Sequence, residues 1–272
     1  MRRRGNAGVP PAISLDTALF LDVDGTLLDI APTPDSVVLP EGLIETLGRL
    51  NAALGGAVAL ISGRRRADLR QLFRGADVIL IGEHGATASV PLPAIDAARG
   101  ERPPPGLVAA LRRFAVRHPD TLLELKAHGA ALHVRGAPSA APAARRLAHM
   151  LAENYRDRVR LLRGKAVFEF VSNEISKGRA IEALLEQPTF RSRTCYVVGD
   201  DVTDEDGFAV ANRLGGISLR VGTSDLRMAG SVARYTIASP AQLRKCLRGW
   251  ADALGAEQRE PPRGNNRVLR AS

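Results

Sequence analysis

Residues 18–29 read ALFLDVDGTLLD, an apolar run that ends in two aspartates and a glycine. The four apolar residues 18–21 predict a buried strand of a parallel sheet. Because side chains alternate along a strand, Asp22 and Asp24 fall on the same side. Packing does not require two neighbouring carboxylates, whereas a cation or a transferring phosphoryl group between them would relieve their repulsion. Taken alone, the pattern favours a solvated turn at a strand end, and further fragments of the chain are needed to point to a site.

A second apolar stretch, residues 57–61, ends in the polar sequence Ser62-Gly63-Arg64. The residues behind it, 66–73, predict a helix. A hydroxyl, backbone N–H groups and the N-terminus of a helix all favour an anion, so this strand end suits a phosphate group. Taken alone, a serine in this position is more often a simple helix cap.

A third strand end is strongly acidic. Residues 195–198 predict a buried strand, and it is followed by the sequence GDDVTDED. A helix capping box from Thr203 to Asp206 accounts for part of this cluster. It does not account for Asp200 and Asp201, whose mutual repulsion calls for a cation. The acidic end of this strand therefore mirrors the end of the first.

The order of the predicted elements defines the fold class. Strands and helices alternate on both sides of residues 94–173, which predicts a parallel sheet with right-handed crossovers. In such sheets ligands bind at the carboxyl ends of strands, where the polar residues above fall. Residues 94–173 instead follow the order helix–strand–strand twice, which indicates an inserted α+β unit with an antiparallel sheet.

The fold class is therefore α/β, a Rossmann-like parallel core with an inserted α+β cap. In the carboxyl-terminal part we expect edge strands at 217–221 and 235–237 and a closing helix at 240–250. The predicted units are a basic disordered arm at 1–14, the core at 15–93 and 174–255, the cap at 94–173, and a disordered tail at 256–272.

Composition and length are those of a folded protein with room for a core and a smaller second unit. The chain has 272 residues, 45% of them hydrophobic and 25% charged. Its apolar runs are too short to span a membrane, and no signal-peptide pattern follows the basic start. Cys195 and Cys246 are isolated and lack metal-ligand spacing. We therefore expect a cytoplasmic protein without a membrane partner.

The net charge of +9 raises the possibility of a nucleic-acid partner. The arginines are scattered, however, aromatic residues make up only 4% of the chain, and no stacking pattern accompanies them. We expect no nucleic-acid partner. A positive field would instead speed the arrival of a phosphorylated substrate.

Four fragments stand in chain order: DVDGT, SGR, a lysine (Lys177) that opens a helix, and GDDVTDE. Together they resemble the phosphatases of the haloacid-dehalogenase superfamily, which implies that superfamily's core with its larger α/β cap. From about residue 19 to residue 253 the chain most resembles the trehalose-6-phosphate phosphatases. The fragments that carry this resemblance are LDVDGTL, ALISGR, GEHGA, ELKAHGAALHVR, GKAVFE, SKG and VVGDDVTDEDGFAVANRLGG.

A carboxylate beside Mg²⁺ is a competent nucleophile toward phosphorus, because the metal screens the repulsion between anions. The resemblance assigns this role to Asp22, which would form an aspartyl-phosphate, and the acid–base role to Asp24. It implies that Mg²⁺ is held by Asp22, the backbone carbonyl of Asp24, and Asp200, with Asp204 close behind. The phosphate-binding residues that it implies are Thr26, Ser62, Gly63 and Lys177. Thr26 would also orient the surroundings of Asp22. Lys177 would also serve in catalysis.

Recognition of a sugar should come from the cap, because the strand ends of the core contact only the phosphate. Glu124 and Lys126 are two residues apart, which places both on one face of a strand. Such a pair is equally consistent with a cross-strand salt-bridge face. By resemblance Glu124, Lys126 and Glu169 bind the sugar. The further substrate-binding candidates are Arg64, Glu83, His84, His133 and Arg135.

The leading function is an Mg²⁺-dependent phosphatase acting on trehalose 6-phosphate, a phosphorylated disaccharide. One alternative is a related phosphatase for another sugar phosphate, such as sucrose phosphate or mannosyl-glycerate phosphate. Another is a non-catalytic sugar-phosphate sensor or a basic scaffold protein. The combined set of nucleophile, acid, lysine and third aspartate argues against a pure binding protein. We expect a monomer.

Overall fold

The structure is a computed structural model of the chain, and it describes residues 10–30, 37–93, 95, 102–126, 128–163, 166–222 and 230–258. The strands are β1 (Thr17–Leu21), β2 (Val58–Ile61), β3 (Ile79–Gly82), β4 (Thr87–Ala88), β5 (Leu122–Leu125), β6 (Gly129–His133), β7 (Val159–Arg163), β8 (Val167–Ser172), β9 (Thr194–Gly199), β10 (Ile217–Val221) and β11 (Tyr235–Ile237). The α-helices are α1 (Leu43–Ala53), α2 (Arg66–Leu72), α3 (Pro105–Arg117), α4 (Ala141–Asn154), α5 (Lys177–Leu185), α6 (Glu205–Arg213) and α7 (Pro240–Glu257). None of the helices in these ranges is both long and apolar enough to cross a membrane.

The first sheet has the strand order β11-β10-β9-β1-β2-β3-β4. All its neighbours are parallel except β3 and β4. Leu21 at the end of β1 is in register with Leu60 of β2 and with Val198 of β9. The loops that follow these three strands therefore meet at one edge, as the sequence predicted for Asp22 and Ser62.

Two details of this sheet differ from the sequence prediction. The strand predicted as an edge at 217–221 is β10, which lies between β9 and β11 and is not an edge strand. The short strand β4 adds an antiparallel edge on the other side. Only two residues long, it carries too little periodicity to be recognised from sequence.

The second sheet has the order β5-β6-β8-β7 and is antiparallel throughout, as predicted for the inserted unit. Helices α3 and α4 bury Leu111 and Leu151 in a core that includes Phe168 and Phe170 of β8. Because side chains alternate along a strand, Glu169 between these phenylalanines points to the opposite face. The register places Glu124, Ala131 and Glu169 side by side on that face.

The chain ends differ from the predicted boundaries. Ile13 is buried in the core of the first sheet, and the Tyr196 hydroxyl donates to the Pro11 carbonyl oxygen at 3.0 Å. The arm predicted for residues 1–14 is therefore wrong for 10–14, because an apolar residue in this stretch packs against the core. Helix α7 begins at Pro240, capped by Ser239, and continues to Glu257, beyond the predicted end at residue 250. Residues 1–9 and 259–272 lie outside the described ranges.

Candidate active site

A cavity of about 380 Å³ lies between the carboxyl end of the first sheet and the polar face of the second. It brings together residues that are more than 100 positions apart in the chain. Among the predicted site residues, Thr26, Glu83 and Asp204 do not line it. Those that do are Asp22, Asp24, Ser62, Gly63, Arg64, His84, Glu124, Lys126, His133, Arg135, Glu169, Lys177 and Asp200.

Lys177 is a buried cation at the start of α5. Its Nζ donates to Oδ1 of Asp22 and to Oδ1 of Asp204, both at 2.6 Å. Burial alone would lower the pKa of Lys177, but the carboxylates of Asp204 and Asp22 outweigh it and hold the pKa above its ordinary value. Ser176 caps this helix by accepting from the Arg179 N–H. The cap fixes the first turn, which carries the lysine into the acid cluster.

Three buried carboxylates form that cluster. Oxygen atoms of Asp22, Asp200 and Asp204 lie within 4.8 Å of one another. Burial raises the pKa of Asp22 well above its ordinary value, with Asp204 and Asp200 adding to the effect and Lys177 opposing it. Burial and the neighbouring Asp204 and Asp201 raise the pKa of Asp200 to about 6. One lysine is therefore too little positive charge for three crowded carboxylates.

Asp204 organises the loop that carries Asp200. Its Oδ2 accepts from the backbone N–H groups of Asp200 and Asp201, both at 3.0 Å. The capping box predicted from Thr203 to Asp206 is wrong, because the box observed runs from Asp201 to Asp204. The helical turn begins two residues earlier than predicted, and it uses one of the acids that the sequence left unexplained.

Thr26 also acts on this loop. It is fully buried, and its Oγ1 donates to Oδ1 of Asp200 at 3.2 Å. This contact fits the predicted orienting role of Thr26 better than direct phosphate binding, which stays a prediction.

Asp24 is paired with Arg64 across the two strand ends. Nε of Arg64 lies 2.7 Å from Oδ2 of Asp24, and Nη2 lies 2.7 Å from Oδ1, which makes a bidentate ion pair. Ser62 is buried, and its Oγ accepts from the Arg64 backbone N–H at 3.2 Å. The Ser62 hydroxyl therefore lies in the strand-end loop, and Arg65 rather than Ser62 is the N-cap of α2.

Glu169 of the second sheet is held by two basic side chains. Lys126 Nζ donates to Oε1 at 2.5 Å, and His84 Nε2 lies 3.2 Å from Oε2. Burial opposes ionisation of Glu169, but the hydrogen bonds and positive charges of His84 and Lys126 outweigh it and lower the pKa to about 2. Lys126 also donates to the Gly63 carbonyl oxygen at 3.1 Å. These contacts connect the second sheet to the loops of the first.

Glu124 makes a similar connection. Its Oε2 lies 3.0 Å from Nε2 of His133, and its Oε1 lies 3.2 Å from Nη2 of Arg65. The hydrogen bond from His133 lowers the pKa of Glu124, and the charges of Lys126 and Arg65 act in the same direction. Glu83, by contrast, lies outside the cavity lining, and its backbone N–H donates to the Arg64 carbonyl oxygen.

Sequence reasoning did not single out three arginines that the structure places at or near the site. Arg65 lines the cavity and contacts Glu124. Arg220 is buried and donates to the Asp200 carbonyl oxygen at 3.1 Å, and Arg160 of β7 joins the second sheet to Asp206 at 2.7 Å. A usable signal existed only for Arg220, an arginine inside the apolar strand ISLRV.

A larger cavity, of about 680 Å³, lies at the start of α3 on the outer side of the second sheet. Among the predicted site residues it contacts only Lys126. Asp22, Asp24 and Asp200 line the smaller cavity together with Ser62 and Lys177, so the smaller cavity is the candidate active site.

The fold is known from solved structures. The structure superimposes on the C-terminal domain of C. albicans trehalose-6-phosphate phosphatase with a TM-score of 0.71, at 21% identity over 90% of this chain and 99% of that chain. A haloacid dehalogenase-like hydrolase from Bacteroides thetaiotaomicron gives a TM-score of 0.60, at 16% identity over 89% and 99% of the two chains. Both comparisons show that the chain has the fold of these two proteins, and the acidic cavity lies at the carboxyl end of that fold's parallel sheet.

Sequence comparison is more specific. The trehalose-phosphatase family model matches residues 20–241. The chain is 39% identical to the trehalose-6-phosphate phosphatase of Escherichia coli (strain K12) over 221 residues, 78% of this chain and 80% of the relative. It is 40% identical to a probable trehalose-phosphate phosphatase of Sinorhizobium fredii over 209 residues, 75% and 77% of the two chains. The chain belongs to the trehalose-phosphatase family and is a phosphoric monoester hydrolase, which confirms the resemblance found in its sequence.

Proposed function

We propose that the chain is an Mg²⁺-dependent phosphatase that hydrolyses trehalose 6-phosphate through an aspartyl-phosphate on Asp22. The observation that carries the proposal is the single cavity in which the carboxylates of Asp22 and Asp24 face the polar cap residues. Family membership supports the substrate, since the relatives compared above are named for it.

The acid cluster fits a hard divalent cation. Its three carboxylates supply the oxygen ligands that Mg²⁺ prefers. Gly25 has φ of +86°, and a Cβ there would lie 2.3 Å from Oδ2 of Asp200, so only glycine lets the turn pass this carboxylate. Asp22, Asp200 and the Asp24 carbonyl would hold the ion, with Asp204 beside them. When bound, the ion screens the repulsion between carboxylate and phosphate.

Asp22 is positioned for attack on phosphorus. Its Oδ1 accepts from Lys177, so we assign the attack to Oδ2. The new bond joins Oδ2 to phosphorus while the bond from phosphorus to the sugar oxygen breaks. Asp24 donates a proton to the departing oxygen, then removes a proton from the water that hydrolyses the aspartyl-phosphate. Lys177 and Ser62 stabilise the phosphoryl oxygens throughout.

The ion pair between Arg64 and Asp24 links phosphate binding to the proposed acid. A phosphate dianion that arrives beside Ser62 competes for the guanidinium that otherwise pairs with Asp24. A guanidinium drawn to the phosphate leaves the Asp24 side chain free to face the departing sugar oxygen.

The sugar would occupy the part of the cavity beneath the second sheet. A disaccharide carries many hydroxyl groups and no charge, so it requires a pocket of carboxylates and donors. Glu124, Lys126 and Glu169 supply them, and the aliphatic side chain of Val167 also lines the cavity. We propose these three polar residues as the sugar-binding set, with His133 and Arg135 alongside.

Release of inorganic phosphate from a panel of sugar phosphates tests the proposal. The panel contains trehalose 6-phosphate, sucrose phosphate, mannosyl-glycerate phosphate and a small aryl phosphate, each with Mg²⁺ or EDTA. We expect a strong preference for trehalose 6-phosphate, loss of activity in EDTA, and no turnover by Asp22→Asn. Equal rates on all sugar phosphates would overturn the substrate, and activity in Asp22→Asn would overturn the nucleophile.

A further inference from the structure

His84 lies where the phosphate end of the cavity meets the cap. Its backbone N–H donates to the Ser62 carbonyl oxygen at 2.9 Å, and its side chain is buried and reaches Glu169 of β8. A single residue of the core thus contacts both the phosphate-binding loop and the carboxylate that we propose for sugar binding.

The backbone at this point is strained. Glu83 and His84 have φ of 52° and 59°, in the left-handed region, and among the described non-glycine residues only Ser192 shares it. This region is unfavourable for a residue that has a Cβ. A Cβ on Gly63 would lie 2.6 Å from the His84 ring, so this glycine leaves the space that the ring occupies. Strain that the surroundings maintain in this way is typical of functional sites.

Packing alone does not account for the residue. The Nδ1 atom of His84 is buried and has no hydrogen-bond partner among the residues that the structure describes. A histidine kept only for the core would be expected to satisfy both ring nitrogens. Because Nδ1 faces no acceptor, the ring proton is best placed on Nε2, where it is donated to Glu169. The bond to Glu169 is therefore the contact that the strained loop provides.

The two oxygens of Glu169 are held from different parts of the molecule. Lys126, on the same sheet, holds Oε1, and His84, in the core, holds Oε2. If Lys126 were the partner of Oε1 and Oε2 had none, the carboxylate could still rotate about the bond that joins it to the side chain. The orientation of Glu169 is therefore complete only when the second sheet lies against the loop that carries His84.

We propose that His84 is a positioning residue for sugar recognition: its Nε2–H fixes Glu169 when the cap closes on the phosphate-binding loop. The inference rests on the proposed sugar-binding role of Glu169. It makes recognition of the sugar depend on closure, because an open cap leaves Oε2 without its partner from the core. His84 itself takes no part in the bonds that form and break at phosphorus.

Two substitutions separate this role from backbone strain. His84→Asn suits the left-handed backbone, but its amide is too short to reach Glu169. His84→Gln has the reach but suits the backbone less well. We expect His84→Asn to raise KM for trehalose 6-phosphate about tenfold, because one charge-assisted hydrogen bond is lost. We expect the KM of His84→Gln to lie close to that of the wild type. A lower KM in His84→Asn than in His84→Gln would overturn the inference.

Two controls test whether each variant folds and whether glutamine in a left-handed backbone position by itself changes the kinetics. Ser192→Gln places a glutamine at a left-handed position that does not line the cavity. We expect the kinetics of this variant to match those of the wild type. Thermal unfolding of each variant reports whether the fold is kept. A KM that rises in Ser192→Gln as much as in His84→Asn would also overturn the inference.

A double-mutant cycle with Glu169→Gln distinguishes the two proposals. If His84 acts through Glu169, the double variant His84→Asn/Glu169→Gln has the KM of Glu169→Gln alone. Additive increases would overturn the positioning role while leaving the sugar site intact. A Glu169→Gln variant with the wild-type KM for trehalose 6-phosphate would instead remove Glu169 from the sugar site, and the positioning role with it.

Discussion

The two ends of the cavity are built differently. At the phosphate end the polar groups bond to one another within the loops of a single sheet, as Lys177 does with Asp22 and Asp204. At the sugar end the bonds cross between sheets, as Glu169 does with His84 and Glu124 with Arg65. The groups proposed for the chemistry are thus in place within the core alone, whereas the groups proposed for recognition depend on how the second sheet lies against the core.

The sharpest test of this division removes a chemical group and leaves the sugar end intact. Asp24→Asn cannot donate or accept the proton, so we expect kcat to fall by about 10²- to 10⁴-fold while KM for trehalose 6-phosphate changes little. Hydrolysis of the aspartyl-phosphate should slow as well. Rapid quenching with labelled substrate measures the phospho-enzyme, and a variant with normal kcat would break the assignment.

The second test concerns the cation that we propose for the phosphate end. Saturating Mg²⁺ should raise the free energy of unfolding of the wild type by about 3 kcal/mol at 100 times its Kd. Asp200→Asn should lose most of this gain. Without metal the variant should be at least as stable as the wild type, because one crowded carboxylate is gone. Thermal unfolding with and without Mg²⁺ measures both, and an equal gain in the variant would remove Asp200 from the ligand set.

The same division explains what could be predicted from sequence. Asp22, Ser62 and Asp200 each follow directly from one strand-end motif, and parallel register then brings them together. The contact of His84 with Glu169 joins residues 85 positions apart on different sheets, and no local pattern encodes such a distance. The cap residues were identified by resemblance, and Arg65 was missed because three consecutive arginines look like a solvated surface.

Arg220 was missed for a different reason. Its strand was interpreted as an edge, where an arginine faces water and needs no explanation. In the structure β10 lies between β9 and β11, and the buried guanidinium bonds to the Asp200 carbonyl oxygen and to Glu205. Both strands beyond β9 were predicted, but their order was not, because hydrophobic periodicity identifies a strand without saying which neighbour it pairs with.

The pKa of Glu169 gives a pH test of the sugar end. The pKa of about 2 in the folded state lies below the value of about 4.3 in an unfolded chain. Ionised Glu169 therefore stabilises the fold above pH 4.3, and this stability is lost as the pH falls toward 2. Between pH 6 and pH 3 the stability advantage of the wild type over Glu169→Gln should shrink by about 2 kcal/mol. Denaturant unfolding at both pH values measures this difference, and a constant difference would break the link between the Glu169 carboxylate and its partners Lys126 and His84.

The last test asks whether the sugar end serves recognition alone. Glu124→Ala removes one charged acceptor, so KM for trehalose 6-phosphate should rise about tenfold with little change in kcat. A small aryl phosphate is too short to reach Glu124 from the phosphate end, so its KM should change far less.

Arg65→Ala is the matched control, since it removes the partner of Glu124 from the core and leaves the carboxylate bonded to His133. If Glu124→Ala lowers the turnover of both substrates equally, the second sheet contributes to the chemistry, and the proposed separation of recognition from chemistry is contradicted. If only trehalose 6-phosphate is affected, recognition and chemistry are separable, because they rest on bonds made in different parts of the fold.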